Sequence, residues 1–165
     1  MAKEEAAAPT VALESVFVTA TIDAKEKREV VTIDIPGAFL HADNKDYVIM
    51  KMNGSLAELM VKSDPKNYRK YVTIEKGRQV LYLRLQKALY GMMKSALLFY
   101  KKLIKELKEM GFEINPYDPC VANKLVSGKQ MTVRWHVDDL MISHINKGQG
   151  QDTQVCEVHK RHLRR

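Results

Sequence analysis

The feature that most constrains the fold is the segment from Met131 to Ile145, in which two apolar runs flank an acidic pair. Short apolar runs on either side of a two-residue polar break predict a β-hairpin, here with Asp138 and Asp139 as the break. Two adjacent carboxylates repel each other and are costly to desolvate. A divalent cation relieves both costs, since Mg²⁺ binds one or two carboxylates together with substrate phosphates. A solvated turn explains the same residues, because Asp is common in turns, and both interpretations stay open here.

A third carboxylate, Asp34, lies in the β-branched run from Val30 to Ile35. A short run that is almost wholly apolar predicts a central strand buried on both faces. Asp34 falls near the end of that strand, before Pro36 and Gly37. It therefore either faces a cleft at the end of the strand or begins a turn.

The other segments alternate between helical and extended patterns. Apolar residues recur at helical spacing over about residues 10–26, and the clearest helix runs from Ser95 to Met110 and ends at Gly111. The remaining predicted elements are a strand over 47–52, a short helix opened by the capping box Ser55-x-x-Glu58, a hairpin over 72–75 and 79–85, and a strand over 120–126.

Composition limits the class of protein. The 165 residues carry a net charge of +7, which is compatible with a polyanionic partner, and only two cysteines, which favours a reducing compartment. No signal peptide and no membrane span is predicted, so we expect an intracellular protein, cytoplasmic or nuclear. We predict a disordered N-terminus over 1–9, one domain over 10–146 and a basic, disordered tail over 147–165. In that tail Cys156, His159 and His162 are candidate zinc ligands, although their spacing is irregular.

Taken in order, four segments of the chain resemble the palm region of the reverse transcriptases of copia-type retrotransposons, over about residues 9–146. The segments are Ile33-Asp34-Ile35-Pro36-Gly37-Ala38-Phe39-Leu40, Lys87-Ala88-Leu89-Tyr90-Gly91-Met92, Asp118-Pro119-Cys120 and His136-Val137-Asp138-Asp139-Leu140. The resemblance implies an α+β, polymerase-palm-like fold, in which helices pack on one face of a small antiparallel sheet.

The resemblance also implies the chemistry, which is nucleotidyl transfer assisted by two Mg²⁺ ions, with Mn²⁺ as the alternative. The implied catalytic and metal-binding residues are Asp34, Asp138 and Asp139, and the backbone carbonyl of Ile35 is a further implied metal ligand. Phe39 matches the residue that crowds a ribose 2′-hydroxyl. Further implied contacts are Tyr90 and Gly91 for the nucleotide, and Lys87 and Lys94 for an RNA or DNA template–primer.

The chain also departs from the family pattern. His136 stands where the family usually has Tyr or Phe, and we find no segment that resembles the family's fingers, thumb or RNase H regions. We therefore expect a truncated copy. The function predicted first is RNA-directed DNA polymerase. The alternatives are a non-catalytic palm remnant that binds nucleic acid weakly or has no activity, and another metal-dependent phosphoryl-transfer enzyme, against which the Leu-Tyr-Gly segment argues.

Overall fold

Helices and antiparallel strands make up residues 7–145, the part of the chain that the computed structural model describes. The α+β fold class is therefore confirmed. No helix in this part is both long and apolar enough to cross a membrane. Residues 1–6 of the predicted N-terminus, the predicted tail and its zinc-ligand candidates lie outside the described residues. The elements are α1 (Leu13–Glu26), β1 (Glu29–Asp34), a 3₁₀ helix (Ala38–His41), β2 (Ile49–Asn53), α2 (Ser55–Ser63), α3 (Pro65–Tyr68), a 3₁₀ helix (Arg69–Tyr71), β3 (Val72–Glu75), β4 (Arg78–Arg84), α4 (Ser95–Glu109), β5 (Glu113–Ile114), β6 (Val121–Val126), β7 (Lys129–His136) and β8 (Asp139–His144).

Contacts divide these elements into two units. One unit is Asp43–Lys87, and the other consists of the chain before and after it. The larger unit contains a five-stranded antiparallel sheet in the order β1-β8-β7-β6-β5. The smaller unit contains a three-stranded antiparallel sheet in the order β2-β4-β3.

Helix α4 covers one face of the five-stranded sheet because its apolar residues recur every three or four positions. Phe99, Leu103 and Leu107 are buried in one cluster with Trp135 and Ile142 of the sheet. Burial of each such side chain stabilises the fold by about 1.5–3 kcal/mol. The helix ends as predicted, since Gly111 takes a φ of +83° just beyond its last turn.

Helix α1 lies on the opposite face of the same sheet. Successive side chains of a strand point to opposite faces, so Arg134 faces away from the core that holds Trp135. The Arg134 guanidinium donates a 3.2 Å hydrogen bond to the carbonyl of Val16 and a second hydrogen bond to the Thr19 hydroxyl, both in α1. The prediction that the helices pack on one face of the sheet is therefore corrected, because α1 lies on one face and α4 lies on the other.

Strand β1 corrects the prediction of a central strand. It lies at the edge of the sheet, where it pairs with β8, and its side chains alternate between half-buried and exposed. Val30 is 43% exposed, so the run that suggested burial on both faces is buried on one. A β-branched run fits a half-buried strand as well as a central one, which is why composition alone misassigned it.

The smaller unit confirms one local prediction and overturns another. The hairpin predicted around Lys76 and Gly77 is present as β3 and β4. The predicted capping box is wrong, because Gly54 is the N-cap of α2 and no side chain caps that helix end. Gly54 has a φ of +53°, a backbone conformation that glycine adopts without steric cost.

Candidate active site

The acidic hairpin turns one residue earlier than the sequence suggested. Strand β7 ends at His136 and β8 begins at Asp139, so Val137 and Asp138 form the turn and Asp139 belongs to the strand. Two-residue hairpins need a positive φ at the first central residue, and Val137 accordingly has a φ of +58°. A β-branched residue in this conformation is strained by about 1–2 kcal/mol. The turn therefore holds Asp138 at its tip at a cost in backbone energy.

Asp34 lies directly opposite Asp139. The two residues are register partners in the β1–β8 ladder, and Asp139 is also the partner of His136 in the β7–β8 ladder. Side chains that are directly opposite in an antiparallel pair point to the same face, with Cβ atoms about 4.5–5.5 Å apart. Asp34, Asp139 and His136 thus form one row across three strands, on the face of the sheet that carries α1.

An open groove of about 420 Å³ runs beside this row of side chains. The residues that line it combine the carboxylates of Asp34 and Asp139 with apolar side chains from β8 and from the start of α1. The lining residues beside the two carboxylates include Val11, Val16, Thr32, Arg134 and Met141. The volume falls in the range of small-molecule sites, so the two carboxylates border a space that a ligand could enter.

Asp138 is held by Tyr90. The Tyr90 hydroxyl donates a hydrogen bond of 2.9 Å to Oδ2 of Asp138. Burial, this hydrogen bond and the negative charges of Asp138 and Asp34 all raise the pKa of the Tyr90 phenol. The phenol therefore stays neutral and remains a donor at physiological pH, and it lies within the electrostatic range of two of the three carboxylates.

Phe39 packs against the Tyr90 ring. The two ring centroids are 4.3 Å apart, and the Phe99 ring of α4 lies 6.1 Å from Phe39 on the core side. Gly37, with a φ of +62°, allows the chain to turn from β1 into the 3₁₀ helix that carries Phe39. Only 8% of Phe39 is exposed, so the ring is anchored in the core next to the site.

The remaining residues implied by the resemblance are Ile35, Gly91, Lys94 and Lys87. The Ile35 carbonyl accepts a 3.1 Å hydrogen bond from the Ala38 amide, which leaves it one lone pair. Gly91, with a φ of +91°, forms the turn that leads into α4, and Lys94 is the N-cap residue of that helix. Lys87 belongs to the smaller unit, where its ammonium group forms a 2.5 Å ion pair with Asp43.

The side chains do not form a closed metal cage. Across residues 7–145, no three His, Cys, Asp or Glu side chains are arranged so that they could hold a metal ion. The donors next to the groove are nevertheless carboxylate oxygens, which are the ligands that Mg²⁺ prefers, and Mg²⁺ sites often use only one or two of them. The donor set thus fits a cation that also binds water and substrate phosphates.

Two anchoring interactions in this unit could not be found from the sequence. One is the hydrogen bond between Tyr90 and Asp138, which joins residues 48 positions apart. The other involves Asp118, whose carboxylate accepts hydrogen bonds from the backbone amides of Ala12 and Cys120. Neither follows from hydrophobic period or turn composition, and the only available signal was the occurrence of Tyr90 and Asp118 within segments that resemble a known family.

Comparison with known proteins identifies the family. A sequence model described as "Reverse transcriptase (RNA-dependent DNA polymerase)" matches residues 2–163. No curated protein and no solved structure shows statistically significant similarity to the chain. The family match spans nearly the whole sequence and includes all the segments discussed above. The chain therefore belongs to the reverse transcriptase (RNA-dependent DNA polymerase) family.

Proposed function

We propose that this chain is the palm-like region of an RNA-directed DNA polymerase of the copia type. The observation that carries the proposal is the register of β1 against β8, which puts Asp34 opposite Asp139 at the base of the turn that holds Asp138. Membership of the reverse transcriptase family supports the same activity. Polymerase chemistry requires carboxylates from separate strands near one point, and the register brings together strands that are remote in sequence.

The proposed reaction is nucleotidyl transfer. The 3′-hydroxyl oxygen of a primer forms a bond to the α-phosphorus of a deoxynucleoside triphosphate, the bond from that phosphorus to the β-phosphate oxygen breaks, and pyrophosphate leaves. Asp34, Asp138 and Asp139 would hold two Mg²⁺ ions, with the free lone pair of the Ile35 carbonyl as a further ligand. When bound, such ions neutralise charge on the attacking and leaving oxygens.

The aromatic pair next to the acids supports a role in nucleotide selection. In our proposal the Phe39 ring excludes the 2′-hydroxyl of a ribonucleotide, and burial in the core keeps the ring from moving aside. Tyr90 supports that ring from the neighbouring position at 4.3 Å. Gly91 would allow the nucleotide to approach the backbone, because a Cβ atom built there meets nothing within 4 Å.

Primer extension tests the proposal. Wild-type protein with a DNA primer on an RNA template, deoxynucleotides and Mg²⁺ should yield extended products, and Asp138→Asn should reduce the rate by about 100-fold or more. Glu109→Gln is the matched control, because it removes a carboxylate from the exposed face of α4 and should leave the rate unchanged. Equal extension by wild type and Asp138→Asn, or no extension by the wild type, would overturn the proposal.

A second candidate function is nucleic-acid binding without catalysis. It is favoured by the basic character of the smaller unit, since residues 43–87 contain ten Lys and Arg but five Asp and Glu. In that case the chain would bind oligonucleotides in a salt-sensitive manner and incorporate no nucleotide. Parallel measurement of binding and extension on the same preparation separates the two candidates.

A further inference from the structure

Helix α1 is held to the sheet mainly by polar and charged groups. The Arg134 guanidinium donates hydrogen bonds to the Val16 carbonyl and the Thr19 hydroxyl, and it lies 3.9 Å from the Asp23 carboxylate. Asp23 is the one residue of α1 that is buried. Surface helices usually bury an apolar stripe and expose their charges. In α1 this arrangement is reversed, so much of its apolar surface is left on the outer side.

The outer side of α1 carries an apolar stripe, which consists of Leu13, Phe17, Ala20 and Ala24. Steps of four, three and four residues separate its members, so at about 100° per residue their side chains fall within about 60° of arc. Leu13 is 64% exposed and Phe17 is 63% exposed, and both alanines are exposed as well. Apolar residues at this spacing are typical of a seam along which one helix packs against another.

The stripe is complementary to itself when two copies of the helix run antiparallel. Its large side chains, Leu13 and Phe17, lie in the first half of the helix, and its small ones, Ala20 and Ala24, lie in the second half. A two-fold axis between positions 18 and 19 would place Leu13 of one copy opposite Ala24 of the other, and Phe17 opposite Ala20. Each large side chain would then meet a small one, which allows the two surfaces to interdigitate. A parallel pair would instead place Phe17 against Phe17.

Charges beside the stripe match the same arrangement. Glu14 in the first turn and Lys25 in the last turn lie along one edge of the stripe, and both are exposed. Neither of them forms an ion pair with another residue of the described chain, 7–145. The same two-fold axis would bring Glu14 of each copy within about 3 Å, measured along the helix axis, of Lys25 of the other. Two intermolecular ion pairs would form, and such pairs fix the register of an interface.

We propose that a second copy of this chain packs on the stripe, so that two α1 helices lie antiparallel about a two-fold axis. A two-fold interface uses the same patch on both copies and must be complementary to itself, and the sizes and charges along α1 meet that condition. A helix of 14 residues is about 21 Å long. One such pair would bury less than the roughly 1,200 Å² of stable complexes, so we expect a dimer that dissociates in the micromolar range.

Sedimentation velocity of the full chain, from low micromolar to several hundred micromolar, tests the proposal. The wild type should shift from monomer to dimer across this range. Phe17→Glu places a carboxylate at the centre of the stripe and should weaken dimerisation at least tenfold, because the charge would lose its water in the interface. Val18→Glu is the matched control. It adds the same charge at a side chain that is 58% exposed but lies off the stripe, and it should weaken dimerisation less than threefold.

An exchange of charges tests the antiparallel orientation. Glu14→Lys and Lys25→Glu should each weaken dimerisation about 2- to 10-fold, because each turns two attractive contacts into repulsive ones. The double variant Glu14→Lys/Lys25→Glu should recover most of this loss, since it restores opposite charges at both contacts. Losses that simply add in the double variant would overturn the proposed pairing.

The remaining outcomes separate this interface from other occupants of the stripe and from the proposed active site. Phe17→Ala guards against misfolding of Phe17→Glu and should weaken dimerisation in the same direction. A wild type that stays monomeric throughout, or equal losses in Phe17→Glu and Val18→Glu, would overturn the proposal. Binding to phosphatidylcholine vesicles without dimerisation would assign the stripe to a lipid surface, which also overturns it. Asp138→Asn should dimerise as the wild type does, so loss of polymerase activity and loss of the dimer are distinguishable.

Discussion

The Tyr90 hydroxyl donates a 2.9 Å hydrogen bond to Asp138, and the Tyr90 ring packs against Phe39. One side chain thus contacts both the carboxylate at the hairpin tip and the ring proposed to select the sugar. The tip needs such support because a free Asp side chain can rotate, whereas a metal ligand must keep one direction. Tyr90 is therefore a positioning residue in the proposed reaction, in addition to its implied role at the nucleotide.

Tyr90→Phe isolates that hydrogen bond, because it removes the hydroxyl and keeps the ring on Phe39. A hydrogen bond to a charged group contributes about 1.5–3 kcal/mol, so we expect kcat to fall by about 10- to 100-fold. The Mg²⁺ concentration needed for half-maximal extension should rise, while discrimination between deoxynucleotides and ribonucleotides should stay the same. Phe39→Ala should instead reduce that discrimination. Wild-type values of both kcat and Mg²⁺ dependence in Tyr90→Phe would contradict the positioning role.

The pairing of Asp34 with Asp139 predicts that Mg²⁺ binding changes the free energy of unfolding. Like charges directly opposite in an antiparallel pair are destabilising, by about 0.2–1 kcal/mol. Asp139→Asn should therefore raise the free energy of unfolding by about that amount in EDTA, and it should remove most of the stabilisation that Mg²⁺ gives the wild type. Urea denaturation with and without Mg²⁺ measures both effects. If Mg²⁺ stabilised the variant as much as the wild type, the cross-strand pair would not be part of the ion site.

The backbone strain at Val137 predicts that relief of this strain favours the folded state but slows primer extension. Because its φ of +58° is strained for a residue with a Cβ and its side chain also packs against the core, Val137→Gly should be more stable than Val137→Ala by about 1 kcal/mol. The same change loosens the tip that holds Asp138, so extension should slow. Ser127→Gly is the matched control, since Ser127 has a φ of +50° in the turn before β7 and is not β-branched. Ser127→Gly should leave extension unchanged, and a Val137→Gly variant no more stable than Val137→Ala would refute the strain argument.

Local features of the fold could be predicted from the sequence, whereas long-range ones could not. The period of α4, its end at Gly111 and the hairpin around Lys76 and Gly77 are encoded within a few residues of each other, and the structure contains them. The position of β1 at the sheet edge is different, because a β-branched run fits edge and centre alike. The place of β1 in the strand order depends on its contacts with β8, which lies more than 100 residues later in the chain. No local sequence pattern encodes such a contact.

The candidate site shows the same division. That Asp34 and the hairpin acids belong together followed only from the resemblance to a family, because neither spacing nor composition fixes a cross-strand register. The exact turn residues were missed by one position, since Val is rare at positive φ and Asp is a common turn residue. The hydrogen bond from Tyr90 to Asp138 could not be predicted either, because it depends on how the turn at Gly91 orients the Tyr90 ring in the folded chain.

Asp118 gives a prediction for the pH dependence of stability. The residue is 3% exposed, and its carboxylate accepts hydrogen bonds of 2.9 and 2.8 Å from the amides of Ala12 and Cys120, which join the start of α1 to the loop before β6. Burial alone would raise the pKa of Asp118, but hydrogen bonds from the Ser15 side chain and these two amides outweigh it and lower the pKa. A carboxyl with a lowered pKa in the folded state stabilises the protein above its unfolded pKa of about 3.9.

Asp118→Asn should therefore lower the free energy of unfolding by about 1.5–3 kcal/mol at pH 7, because it removes a charged acceptor. The difference from the wild type should stay constant from pH 7 to about pH 5 and shrink as the pH falls through the folded pKa, where the wild-type carboxyl also becomes neutral. Urea denaturation across this range measures it. Glu109→Gln, at an exposed site on α4, should show little difference from the wild type at any pH. A difference for Asp118→Asn that is independent of pH down to about 3 would mean that shape and hydrogen-bond geometry, not the charge, account for the contribution of this residue.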